Sequence, residues 1–291
     1  MLDHHPQITW LNEFEYAVDL VSDDGGYPDT DVYKEWLAQH RIFQATGFGV
    51  DAALEYAAVV DGFFDQRKES TGKPIAGATV HRDFDRLLGL YPDARFIHLV
   101  RDPRDVSPSV IRMGWAGNVY TACTPWVQAE GCWDRVASRI SKEQWIQIHY
   151  EELLEDPERE LARACGLIGV VFDAAMLDFH MDTSYSPPDS SAAQRWKTTL
   201  SKKQVRLIES RCAKVMADRG YECVTANPRG PTAVGRAYFS LQSRVSRMGA
   251  RISRFGFGLW AKGIVFKRFS PNKAYPRVKA RMDENTKSRL Q

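Results

Sequence analysis

The sequence predicts an α/β protein: a parallel sheet flanked by helices, followed by a helical, basic C-terminal tail. Three observations carry this. The short apolar runs PIAGATV (74–80), RFIHLV (95–100) and QWIQIHY (144–150) have the length and β-branched content of buried strands, and helical patterns follow them. Strands alternating with helices imply right-handed crossovers and a parallel sheet covered on both faces. The charge is also split: residues 228–291 hold fifteen Lys/Arg against two acids, a net +13, whereas the 24 basic and 35 acidic residues before them give −11. The expected organisation is therefore a main domain over 1–227 and a basic extension over 228–291.

In chain order, MLDHHPQITWLNEFEY opens like the last turn of a helix already under way. DVYKEWLAQHRIFQA (31–45) and DAALEYAAVVDGFFDQRKE (51–69) place apolar residues at helical spacing, and STGKP ends that pattern. After the third strand, EELLEDPERELARACGLIG places Pro157 where the first turn of a new helix tolerates it. SKKQVRLIESRCAKVMADR (201–219) has a Ser cap at its start and Gly220 beyond its end.

Composition excludes several classes. With 44% hydrophobic residues over 291 positions the chain is far from the disordered class, and no run of 18 apolar residues exists. The five cysteines are odd in number and form no CxxC pair, so neither a disulfide framework nor a zinc site is signalled. His4 and His5 diverge by about 100° on a helix, which disfavours a shared metal. A cytoplasmic protein is expected, and no metal.

In open parallel sheets, ligands sit beyond the carboxyl ends of the strands. FIHLVRDPRDVSPSVIRM delivers Arg101 to such an end, and Ser109 stands eight residues later, two helical turns on. A guanidinium at a sheet mouth beside a helix N-terminus and a hydroxyl suits a phosphate dianion. A surface salt-bridge cluster of Arg101, Asp102, Arg104 and Asp105 fits the spacing equally well.

YPDARFIHLVRDPRD, IHYEELLEDPERELARACGLIG and QRWKTTLS together resemble ordered blocks of the sulfotransferase superfamily, most closely its bacterial and tyrosylprotein-type branch, over about residues 1–223. The resemblance implies a P-loop-NTPase-like sulfotransferase fold. It also implies transfer of a sulfuryl group from 3′-phosphoadenosine 5′-phosphosulfate (PAPS) to a hydroxyl acceptor: a carbohydrate, a lipid or another small molecule. By the same resemblance Arg101 and Ser109 hold the 3′-phosphate, Tyr150 lies against the adenine, Arg195 approaches the cofactor, and Glu13 is the general base. The plainer alternative is that Glu13 and Glu15 are exposed acids on a short helix. The tyrosylprotein branch carries an arginine where Glu15 stands, which puts a tyrosine-peptide acceptor in doubt.

In the family a segment like MLDAHPD follows a phosphosulfate loop, G-x-x-(R/K)-S-G-T-T. MLDHHPQI matches the downstream part, the sequence holds no such loop, and neither GFGV (47–50) nor STGKP (70–74) replaces it. The expectation is a domain truncated at its N-terminus, with a catalytically inactive nucleotide-binding or scaffold protein as the alternative to an enzyme. A P-loop-like kinase relative is disfavoured by the Arg-to-Ser spacing.

Beyond the resemblance, Arg244, Arg247, Arg251 and Arg254 recur on one helical face, and an aromatic and aliphatic cluster follows from Phe255 to Phe266. An anionic membrane surface contacted through residues 236–270, at the inner membrane face, is one reading. Packing on the acidic main domain is another. Nucleic acid has weaker support, because no binding motif accompanies the charge. GWAGN (114–118) reads as a loop able to close over the site or as a plain turn.

Overall fold

The computed structural model describes residues 1–51, 53–181, 188–269, 275, 277–279 and 281–282. Residue 270 of the expected membrane-contacting segment, and 283–291 of the basic extension, lie outside these described residues. In chain order the elements are β1 (Ile8–Leu11), α1 (Thr30–Leu37), α2 (Arg41–Thr46), α3 (Tyr56–Thr71), β2 (Ile75–Ala78), α4 (Leu87–Leu90), β3 (Phe96–Val100), α5 (Pro103–Arg112), α6 (Val119–Ala122), α7 (Thr124–Ala137), β4 (Trp145–His149), α8 (Tyr150–Glu155), α9 (Pro157–Ile168), α10 (Trp196–Thr199), α11 (Lys202–Asp218), α12 (Ala233–Phe255) and α13 (Phe257–Phe269). Short 3-10 turns punctuate them, among them Leu2–His4 and Phe14–Ala17.

The fold is α/β with parallel strands, as expected. The strands pair as β1 with β2 and β3 with β4, each a two-stranded parallel ladder. The first ladder contains a strand that sequence periodicity did not show. ITWL is too short to display alternation, and its partner lies far along the chain, with Ile8 opposite Ile75. Another expectation needs correction: the helix read over 31–45 is two helices. His40 interrupts it with an extended backbone, and its imidazole accepts the Phe43 N–H as the cap of α2.

Two compact units divide the chain: Met1–Asp102 with Val127–Thr198, and Pro103–Trp126 with Thr199–Gln291. In the first, α1, α2 and α3 pack Tyr33, Leu37, Phe43, Val60 and Phe63 around Phe14 and Tyr16. Phe14, Tyr16, Phe43 and Phe63 meet at edge-on or tilted angles, an arrangement their quadrupoles favour. Tyr33 and Tyr56 donate to the Tyr16 and Ala17 carbonyls, fixing the turn that follows β1. Asp3 ties the chain start to this core, accepting from the Trp10 N–H at 2.7 Å and from Arg67 at 2.8 Å.

The second unit is helical. Ser201 and Gln204 form a capping box at the start of α11, as the Ser cap predicted. Buried Arg104 on α5 donates to buried Glu209 on α11 at 2.8 Å and to the Glu222 carbonyl at 3.1 Å. Glu209 also accepts the Val224 and Thr225 N–H groups, each at 2.9 Å.

Candidate functional site

β3 and β4 run parallel with Val100 opposite His149, so Arg101 and Tyr150 are the next pair beyond both carboxyl ends. Their side chains meet, with the Arg101 guanidinium 4.3 Å from the centre of the Tyr150 ring. Two further contacts hold this corner. Glu151 accepts the Asp102 N–H at 3.0 Å, and the Ala192 carbonyl accepts from Arg101 Nη2 at 3.4 Å. The segment before α10 therefore reaches the same corner. There Trp196 is buried, Gln194 takes a left-handed backbone, and exposed Arg195 donates from Nε to the Ser191 carbonyl. Lys197, also exposed, donates to the Gln194 side chain.

The surface-cluster reading of RDPRD is not what the fold adopts. Asp102, Arg104 and Asp105 are buried, and Arg104 is committed to Glu209. Of the two arginines, one stands at the strand ends and the other holds α5 to α11. Ser109 is half-buried on α5 in the second unit, where its carbonyl accepts the Met113 N–H.

Glu13 stands two residues beyond β1 with left-handed φ and ψ of 52° each, a conformation that costs an L-residue about 1–2 kcal/mol. Such strain persists where surrounding structure enforces it. Here the Phe14 N–H donates to the Thr79 carbonyl at 2.9 Å, and Phe14 to Val18 are all buried. Glu13 itself is exposed, at the edge of a cavity of about 690 Å³ lined by Trp10, Asn12, Phe48, Gln66, Arg67 and Ser70 among others. The expectation that Glu13 and Glu15 are both exposed fails for Glu15, because the chain turns it inward.

The Glu15 carboxylate accepts both the His81 backbone N–H at 2.8 Å and the ring Nδ1–H at 2.7 Å. Burial opposes its ionisation, but these two bonds together hold its pKa below the ordinary carboxylate value. The same side-chain bond raises His81, against partial burial and with help from the Glu15 and Glu13 charges. Sequence reasoning passed over this pair. His81 follows the run PIAGATV directly, so the rule of searching immediately beyond each strand would have found it.

Neither glycine-bearing loop forms an anion cradle. Gly72 caps the C-terminus of α3, where carbonyls face out, and the Gly49 N–H is taken by Gln66 Oε1 at 2.8 Å. Among the described residues no group of three or more His, Cys, Asp or Glu is placed to hold a metal ion.

Parallel strands that set an arginine against a tyrosine beyond β3 and β4, and a glutamate beyond β1, define an α/β protein whose polar groups sit where such folds bind ligands. The pattern of the Sulfotransferase family matches residues 1–174, and the chain belongs to that family. It is 24% identical over 190 residues to mouse (Mus musculus) carbohydrate sulfotransferase 2 and 26% to the human (Homo sapiens) protein. Each match covers 46% of this chain and 36% of the relative, so it spans about a third of those proteins. Among solved structures, the sulfotransferase domain from the curacin biosynthetic pathway superposes with a TM-score of 0.51 at 16% identity, covering 76% of this chain and 91% of that one. The sulfotransferase domain of the Synechococcus PCC 7002 olefin synthase gives 0.52 at 18%, covering 72% and 86%. Both likenesses are of fold.

Proposed function

We propose that this sulfotransferase-family chain uses PAPS as co-substrate and sulfates a hydroxyl acceptor. The observation that carries this reading is the Arg101–Tyr150 pair at matched positions beyond β3 and β4. A guanidinium there offers a planar, permanently charged fork to a phosphate, and the Tyr150 ring offers an apolar face to a base. In this reading Arg101 holds the 3′-phosphate, Tyr150 flanks the adenine, and Arg195 adds a positive charge from its exposed position. PAPS supplies the activated sulfuryl group.

Glu13 then acts as general base. An acceptor hydroxyl in the neighbouring cavity gives its proton to the carboxylate as its oxygen bonds to sulfur, which separates from the phosphate oxygen. The mixed lining of amide, hydroxyl and guanidinium groups with Trp10 and Phe48 suits a polyhydroxylated acceptor. The two curated relatives bear the name carbohydrate sulfotransferase, which supports a sugar hydroxyl over a lipid or another small molecule.

A second reading is nucleotide binding at the Arg101–Tyr150 corner without turnover. Titration calorimetry with adenosine 3′,5′-bisphosphate, run beside transfer from radiolabelled PAPS to a panel of sugars, tests both. Arg101→Ala is expected to weaken nucleotide binding by about 30-fold, the ~2 kcal/mol of a charge-assisted hydrogen bond. Unchanged affinity removes the site assignment. Binding with label transfer supports the enzyme, and binding without it supports the second reading.

A further inference from the structure

Helix α12 has two faces of opposite character. Phe239, Ser243 and Ala250 face the body of the second unit. There the Gly117 N–H donates to Ser243 Oγ at 3.1 Å, Asn118 Nδ2 donates to the Phe239 carbonyl at 2.8 Å, and a Cβ on Gly117 would fall within 3.0 Å of Ser243 Cα. GWAGN is thus a seat for α12. On the other side Val234, Tyr238, Leu241, Val245 and Met248 recur at alternating spacings of four and three and are 43 to 81% exposed. At 100° per residue these five fall within an arc of about 80°, and at 1.5 Å per residue they extend along about 21 Å. Large apolar side chains lined up this way are unlike the single ones that a soluble surface normally scatters. Beyond Gly256 the exposed apolar surface continues with Phe257, Ile264, Val265 and Phe269 of α13.

The charge beside this stripe selects the occupant. Arg244 and Arg251 lie along one flank of it at 100° per residue, Arg247 and Arg254 sit further round the helix, where Arg254 donates to the Met113 carbonyl at 3.0 Å, and no Asp or Glu occurs between Cys223 and Met282. The stripe has the spacing of a coiled-coil seam, but helix α12 of a second copy would bring no acid to face these arginines, and an antiparallel pairing would set Arg244 and Arg251 against their own kind. A surface with fixed negative charge and an apolar interior satisfies both the flank and the stripe. Among the described residues no helix is long and apolar enough to cross a membrane, so contact is along the surface.

We propose that the exposed face of α12, continued by α13, docks on an anionic lipid bilayer, with Tyr238, Leu241, Val245 and Met248 entering the headgroup–acyl boundary and the arginine flank facing lipid phosphates. The test is co-sedimentation of the full 291-residue chain with vesicles of phosphatidylcholine alone or mixed with phosphatidylglycerol, with light scattering on the lipid-free protein and a duplex DNA titration alongside. Binding is expected only to the mixed vesicles and is lost at high salt. Arg244→Gln/Arg251→Gln should weaken it about 30-fold, from the contribution of two basic residues near such a surface, and Leu241→Gln/Val245→Gln at least tenfold. All four side chains are exposed, so both variants should keep the far-ultraviolet circular dichroism and unfolding midpoint of the unmodified chain. Should either lose its fold, the salt dependence and lipid preference of the unmodified chain decide. Equal binding to both vesicle types, or full binding by the Leu241→Gln/Val245→Gln variant, overturns the proposal. So does a lipid-free dimer that this variant dissolves, which would assign the stripe to a second copy. DNA binding without vesicle binding assigns the arginines to nucleic acid and also overturns it.

Discussion

The two arginines of RDPRD predict two different failures, and the one at Arg104 has the larger energetic consequence. Its guanidinium and the Glu209 carboxylate are almost wholly excluded from water, at 5 and 0% side-chain exposure, and meet at 2.8 Å. Glu209→Leu removes the partner charge and leaves the Val224 and Thr225 N–H groups without their acceptor. Breaking a buried pair from one side costs about 3–5 kcal/mol, because the remaining ion stays desolvated. Total stabilities run to about 5–15 kcal/mol, so this single change consumes a large part of the margin. With a urea slope of about 3 kcal/mol/M, the midpoint should fall by about 1–1.7 M. Urea unfolding followed by circular dichroism, with hydrogen exchange on the α11 amides to localise the effect, measures it. Arg104→Met/Glu209→Leu should recover part of the loss, since two apolar groups replace two ions. A cost below about 1 kcal/mol for Glu209→Leu would equate this pair with an exposed one and refute the reasoning.

Gly77 lies opposite Trp10 in the first ladder, and a Cβ there would fall within 3.0 Å of three carbons of the indole ring. Gly77→Ala should therefore cost about 1–3 kcal/mol by overpacking, read from the thermal midpoint, and a neutral result would show that the ring moves freely. His81→Ala should act through pH. The lowered Glu15 contributes stability above its ordinary 4.5 that is lost as pH falls through its folded value, and the raised His81 contributes stability below its ordinary 6.5 that is lost as pH rises through its folded value. The difference between unmodified and variant chains should be largest between those two pH values. It should be about 1 kcal/mol at most, because the His81 ring is two-thirds exposed; a difference independent of pH would contradict the pairing. Glu13→Asn should leave thermal stability unchanged or raise it by up to about 1 kcal/mol, since Asn tolerates the left-handed backbone. A clear loss would mean that the Glu13 carboxylate is structural.

What could be read in advance was local. Phe96–Val100 and Trp145–His149 are compact apolar runs, Ser201 and Gln204 advertise their own helix start, and Pro157 opens α9 as its position suggested. Arg101 and Tyr150 could be placed at strand ends because the strands themselves were legible. What could not be read depended on distant partners. The inward turn of Glu15 is set by His81, 66 residues on. Arg104 parted from its neighbours because Glu209, 105 residues later, reaches it. The break at His40 left no Gly or Pro as a sign, because an imidazole supplied the cap.

The first ladder also sets a timetable. Ile8 pairs with Ile75, so β1 is made 67 residues before its partner exists. At ribosomal rates of about 5–20 residues per second that interval is roughly 3–13 s. During it Ile8 and Leu11, which end almost wholly buried, have no sheet to join. Closing a loop of that length precedes any reward from the ladder, the property that slows parallel topologies. The turn that carries Glu13 is built on Thr79 of the later strand's end, so it takes its final shape only once β2 has arrived. The nascent chain thus passes through a stage in which its candidate base is already synthesised and the pocket beside it is not.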